Sequence, residues 1–326
     1  MESKLDQDPV TESERLCARL VKLRQEVRVL IEGKYEYIVY LTKTLYGELY
    51  LVKHKETKVQ YCAKVSRLSV WKAKAETLPG GLCDNPEAEA KLLMELKGTP
   101  QVVQGVEVLH GEDLICLIME YIDGPNLGNY PYQIKPPSTE AELKVVYRQL
   151  LRGVQHLNDK GHVLIDLAMN NVMYAKAGSP EAPDDWQVKL IDFGRTYPID
   201  DIKVAEADMK YAASKEAWPM RDDYMAPEVL LCHVKGTPWD PVTVQTWIVG
   251  TVLYFIATGA FPYEEPGDLL HRELYRGTWT ERDTVKHLSS EWKQFVGSTF
   301  QMPADRASLK ALLASDYLAE VLPLST

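Results

Sequence analysis

The stretch VLIDLAMNNVMY, residues 163–174, sets Asp166 and Asn171 five positions apart, directly after an apolar run. That pair occurs by chance in many chains. It reads either as two polar residues on a surface loop or as a general base with a metal ligand. What flanks it decides between the two. Upstream, Thr139 and Glu142 form a capping-box pattern, a threonine followed three residues later by a glutamate. Leu143, Val146, Tyr147, Leu150, Leu151, Val154 and Leu157 then fall on one face of a helix. Downstream, the predicted strand Val188–Ile191 leads into Asp192-Phe193-Gly194, and a long polar segment ends at Ala226-Pro227-Glu228.

Further toward the N-terminus the period changes. Tyr35–Leu41, Glu48–His54 and Val59–Val65 alternate or run β-branched and aromatic, which predicts three strands. Asp84-Asn85-Pro86-Glu87 predicts a helix start, with a capping residue, proline at the first helical position and acid in the first turn. That helix is expected to run to about Lys97. Two more strands, Val102–Leu109 and Leu114–Tyr121, are joined by the hairpin signal His110-Gly111-Glu112-Asp113. After Asp123-Gly124-Pro125 the pattern is mainly helical. The expectation is an α+β chain of two lobes: an antiparallel five-stranded lobe with one inserted helix over 34–122, and a helical lobe over 123–326. A polar extension, 1–33, precedes them. Within it Leu16, Leu20, Leu23, Val27 and Leu30 form a heptad-type stripe, which would pack on the chain's own domain or mediate association.

Bulk properties narrow the partners. The chain has 37 Lys+Arg against 47 Asp+Glu, a net charge of −10, which argues against nucleic acid as the principal partner. Five scattered cysteines without a CxxC pair fit a reducing compartment, cytoplasm or nucleus. The longest apolar run, Trp247–Ala257, is short for a membrane span. A soluble intracellular protein is expected.

Taken in order, these segments resemble the eukaryotic-type protein kinase superfamily. The motifs are CAK with Lys64, a helix glutamate at Glu89, IDLAMNN, DFG at Asp192, YMAPE at Tyr224–Glu228, the apolar segment Trp247–Tyr263, and PADR ending at Arg306. The resemblance spans about residues 34–318. It implies a phosphotransferase that uses ATP and Mg²⁺ on a protein hydroxyl. Lys64 would hold the α- and β-phosphates and be oriented by Glu89. Asp166 would accept the hydroxyl proton, and Asn171 and Asp192 would be the metal ligands. Leu41, Gly47, Leu49, Ala63, Met119 and Met173 would surround the nucleotide, with backbone groups of Glu120 and Ile122 meeting the adenine. Arg306 would pair with Glu228.

The chain departs from the family pattern at charged and glycine positions. Thr42 and Thr44 stand where the first two glycines of the phosphate loop belong, and only Gly47 remains. Leu164 and Ile165 replace the histidine and arginine before the base. Ala168 and Asn170 leave both places for a catalytic-loop cation empty of charge, and Gln245 replaces a buried aspartate. Met220-Arg221-Asp222-Asp223 before YMAPE leaves serine/threonine and tyrosine specificity open. Three readings stand: a divergent working protein kinase, a pseudokinase that binds nucleotide and partners, and a small-molecule kinase of the same fold.

Overall fold

The computed structural model describes residues 25–77, 84–129, 139–176, 186–200, 224–229, 239–262 and 278–319. Leu16, Leu20 and Leu23 of the heptad-type stripe and most of the segment before YMAPE lie outside these residues. By chain contacts the protein divides into two units. One holds the residues up to Trp71 together with Val106–Tyr121, and the other holds Lys72–Gly105 and everything from Ile122 onward. The partition read from sequence had placed residues 72–105 in the first lobe.

The first unit is a sheet in the order β1-β2-β3-β5-β4. Its strands are β1 (Tyr35–Lys43), β2 (Gly47–His54), β3 (Gln60–Arg67), β4 (Gly105–His110) and β5 (Leu114–Glu120). Strand β4 starts later than expected, because Val102 makes an isolated parallel bridge to Leu190 rather than joining the sheet. One face of the sheet is a packed core of Tyr35, Tyr50, Val52, Ala63, Val65, Leu114, Cys116 and Ile118. A helix across residues 25–31, α1, closes that core with Val27 and Ile31, each 1% exposed, and with Leu30 beside them. This end of the extension packs on its own unit. Glu26 is also tied to Arg67 at 2.5 Å, and Arg67 reaches Asp113 at 3.2 Å.

Asp113, in the β4–β5 turn, has a second job. Its carboxylate accepts from the Ser69 N–H (2.7 Å) and hydroxyl (2.6 Å). These bonds start a helix that sequence reading did not anticipate, α2 (Leu68–Thr77). None of its residues is fully buried, so it carries little of the apolar stripe by which helices are recognised. Two helices, not one, therefore follow β3. The second, α3 (Pro86–Glu95), begins as predicted: Asn85 accepts from the N–H groups of Glu87 and Ala88, and Pro86 opens the first turn. Such a cap is worth about 1 kcal/mol.

In the second unit α4 (Glu140–Asp159) carries the full predicted capping box and buries every residue of its predicted stripe. Helix α5 (Pro241–Thr258) is capped by Asp240 and ends at Gly259 in the left-handed region. It is long and apolar enough by composition to cross a membrane, yet 78% of it is buried inside the unit. Its apolarity belongs to the core. Helix α6 (Ser290–Gly297) and the short α7 (Leu309–Leu313) and α8 (Asp316–Ala319) complete the described chain.

A half-buried carboxylate in the first unit yields a pH test. Glu107 accepts from Lys34 Nζ and from the Tyr35 hydroxyl, each at 2.6 Å. Burial alone would raise the Glu107 carboxyl, but these two hydrogen bonds and the Lys34 charge hold it below its usual value. A lowered carboxyl stabilises the folded state fully above the ordinary glutamate value of about 4.3, and that stability is lost as pH falls through the lowered value. We expect Glu107→Gln to flatten the loss of stability between about pH 5 and pH 3, read from urea midpoints across that range. Parallel acid limbs for wild type and variant would contradict this.

Candidate active site

Strand pairing decides which side chains of the first unit share a surface. Leu49 pairs with Lys64 across β2–β3, and Leu117 pairs with Lys64 across β3–β5, while Cys62 faces Leu51 and Met119. Leu49, Cys62, Lys64 and Met119 thus lie on one face, with Leu49, Lys64 and Met119 half-buried. Ala63 points the other way, into the core beneath α1, and is fully buried there. The assignment of Ala63 to a nucleotide wall is corrected by the pleat: Cys62 occupies the corresponding position beside Lys64. Burial pushes the Cys62 thiol up to about 12 against the pull of Lys64. It is therefore a neutral, apolar neighbour of Lys64 rather than a nucleophile.

Gly47 has a reason of its own. A Cβ there would lie 2.0 Å from the Val65 carbonyl oxygen, so close approach of β2 to β3 requires glycine. The Thr44 N–H donates to the Gly47 carbonyl at 2.9 Å and closes a tight turn at the end of the hairpin. Leu41 is 37% exposed and sits where the β1–β2 register shifts between Tyr40 and Thr42. Glu120 ends β5, and Ile122 follows it, 8% exposed.

After the short strand β6 (His162–Leu164), the second unit gathers the remaining predicted residues around a hairpin of β7 (Val172–Lys176) and β8 (Trp186–Leu190). The Ile191 N–H donates to the Asn171 carbonyl at 2.9 Å, continuing the ladder one step past the strands. Asn171 and Asp192 are thereby held at the same end of the hairpin. Asn171 is 7% exposed, and its Nδ2 donates to the Asp166 carbonyl at 2.9 Å. The Ala168 N–H donates to that same carbonyl at 2.9 Å. The loop from Asp166 to Asn171 is thus closed on itself, with the Asp166 side chain half-buried and Asn170 exposed. The Met169 N–H is also held, by the Tyr224 hydroxyl at 3.2 Å. Tyr224 was read only as part of YMAPE, and no local signal shows that its hydroxyl reaches the loop. Met173 is half-buried in β7 and bridges to Asn126.

Asp192 has φ +64°, one of two non-glycine residues among those described with a left-handed backbone. Aspartate tolerates this region better than most residues, and such conformations persist only where neighbours enforce them. The enforcing contact is near: the Phe193 N–H donates to Glu89 Oε1 at 3.3 Å, and Glu89 on α3 is only 5% exposed. Phe193 itself is 2% exposed.

The predicted Arg306–Glu228 pair is present and bidentate, at 2.5 and 3.0 Å. Arg306 also donates to the Gln301 and Thr243 carbonyls and stacks over Trp247 with its guanidinium 5.0 Å from the ring centre. Leu164 is fully buried, and Ile165 is 7% exposed. Gln245 meets the loop as a donor, where an ionised aspartate could only accept: its Nε2 donates to the Leu164 carbonyl at 3.1 Å, while its buried Oε1 meets no partner among the described residues.

The family model described as "Protein kinase domain" matches residues 35–318. The chain belongs to the protein kinase family. It is 24% identical over 284 residues to mitogen-activated protein kinase kinase 2 of Arabidopsis thaliana, covering 83% of this chain and 69% of that protein. It is 27% identical over 199 residues to sperm motility kinase 2A of Mus musculus, covering 61% of this chain but 35% of the relative, so it spans about a third of that protein. A solved C. elegans twitchin kinase fragment shares the fold at a TM-score of 0.66 and 19% identity, over 89% of this chain and 58% of the fragment.

The reversed Gln245 bond generates a test. Restoring the family's acid by Gln245→Asp would set a carboxylate in a fully buried site where the present partner is a carbonyl oxygen. We expect it to destabilise the protein by about 1–3 kcal/mol in chemical unfolding. A variant as stable as wild type would show that the side chain reorients to accept from the loop backbone.

Proposed function

We propose that this chain is an ATP- and Mg²⁺-dependent protein kinase that transfers the γ-phosphate to a hydroxyl of a protein. The observation that carries this reading is the oxygen pair at the end of the β7–β8 hairpin. Because Asn171 Nδ2 is engaged by the Asp166 carbonyl, the amide oxygen is the end left to act as a donor. Beside it in sequence register stands the exposed carboxylate of Asp192. Two hard oxygen donors, one of them charged, suit a magnesium ion that brings phosphate oxygens and waters as its other ligands. Bound Mg²⁺ neutralises charge on the phosphates.

The chain's own groups supply the rest. Asp166 accepts the proton of the attacking hydroxyl, and the two bonds to its carbonyl fix the backbone that carries it. By the family resemblance Lys64 would hold the α- and β-phosphates and Glu89, which accepts from the Phe193 N–H, would orient it. By the same resemblance Leu41, Leu49, Met119 and Met173 would line the base, with Cys62 in place of Ala63, and backbone groups of Glu120 and Ile122 would meet its edge. Gly47 keeps β2 close to β3.

A second reading, a nucleotide-binding scaffold without transfer, is favoured by one observation. Leu167-Ala168-Met169-Asn170 carries no cation between the base and the metal ligand. A missing transition-state cation costs orders of magnitude in rate.

The two readings separate in an assay of label transfer from γ-labelled ATP to the chain itself and to a mixed Ser/Thr/Tyr peptide pool. The kinase reading expects Mg²⁺-dependent incorporation that Asp166→Asn lowers by about 100-fold or more. Incorporation no higher than in Asp166→Asn would leave the scaffold. Equal and substantial transfer by the variant would assign the signal to a contaminant.

A further inference from the structure

Helix α3 and the metal motif are joined by more than Glu89. Asp84 stands directly before the capping residue of α3, and Arg195 directly after Gly194. Arg195 Nε donates to Asp84 Oδ1 at 2.7 Å, with the arginine side chain 4% exposed and the aspartate 25%. The Asn85 N–H donates to the Gly194 carbonyl at 3.2 Å. A Cβ on Gly194 would lie 2.8 Å from the Asp84 Cβ, so this approach demands the glycine. Residues 193, 194 and 195 are thus each bound in turn by Glu89, Asn85 and Asp84, three positions of one helix entrance.

We propose that the Asp84–Arg195 ion pair is a positioning device that sets the start of α3 against the metal motif and so fixes Glu89 and the left-handed turn at Asp192. It deepens the kinase reading and rests on it for its effect on catalysis.

Three physical points carry it. A nearly buried arginine deprived of its partner is costly, so the contact prefers its formed state far more strongly than an exposed pair would. The Asp84 charge lies at the helix N-terminus, where the peptide dipoles favour an anion, so the pair anchors the helix itself and not a loose side chain. The geometry is also rigid. Nε of arginine is part of a planar fork, which holds its direction better than the flexible ammonium of lysine. Without the pair, α3 would hold the motif through fewer contacts, among them the backbone bond from Asn85 and the 3.3 Å contact of Glu89 with the Phe193 N–H. The left-handed turn at Asp192 would then be held less firmly.

The test uses the full chain as Asp84→Asn, Arg195→Lys, Arg195→Met and the charge exchange Asp84→Arg with Arg195→Asp. Two readouts are taken: amide hydrogen exchange of Phe193 and the first turn of α3, and kcat and KM for ATP. Asp84→Asn and Arg195→Met should speed exchange at Phe193 by about tenfold and lower kcat by a similar factor, with KM changed far less. Arg195→Lys should fall between wild type and Arg195→Met, and the exchange variant should recover part of the loss. Singles that match wild type in both readouts, or an exchange variant no better than their product, would overturn the proposal. A wild type with no transfer at all would remove the kinase reading separately, and hydrogen exchange would still decide the tether.

Discussion

The turn at Asp192 is the constraint from which the site follows. A left-handed aspartate is uphill unless its neighbours hold it, and here they do on both sides. Before it, the Ile191 N–H prolongs the β7–β8 ladder to Asn171. After it, the Phe193 N–H is taken by a buried glutamate of α3. The same ladder that positions the Asp192 carboxylate therefore positions Asn171, whose amide in turn closes the loop carrying Asp166. Three chemically distinct groups are set by one chain of hydrogen bonds.

Around that chain the substitutions divide into two kinds. Leu164 and Ile165 fill buried space without carrying charge, and the loop keeps its shape. Gln245 keeps one contact to the loop but turns its polarity round, leaving a buried acceptor without a partner among the described residues. Such an orphan costs stability and adds no catalytic group. Gly47 warns against reading a surviving family residue as a surviving function, since the backbone of Val65 demands a glycine there whatever the loop binds. The bidentate Arg306–Glu228 pair is likewise structural, satisfied by carbonyls and a tryptophan face far from any reacting group in sequence.

How much of this was legible in the sequence depended on range. Caps are local, so the Asn85 and Thr139 starts could be read directly, and the amphipathic stripe of α4 matched its buried face. Strand phase was harder. Both neighbours of Ala63 and Ala63 itself are compatible with either side of a sheet, and only the register of β2, β3 and β5 shows that Cys62 shares the Lys64 face. Helix α2 escaped because its stabilising cap comes from Asp113 on a distant turn. The same holds for the Asp84–Arg195 pair and the Tyr224 contact, which join residues 111 and 55 positions apart. The resemblance supplied the order of the motifs, and the structure supplied what holds each in place.

The central claim is that Asn171 and Asp192 form a working divalent-cation and nucleotide site despite the altered loop at Thr42 and Thr44. The direct measurement is calorimetric titration of ATP into the full chain, with Mg²⁺ and with a chelator, for wild type and the double variant Asn171→Ala, Asp192→Ala. Binding that requires Mg²⁺ and weakens by about tenfold or more in the double variant is the expected result. Binding that is equal with the chelator, equal in the variant, or absent at millimolar Mg·ATP would contradict it.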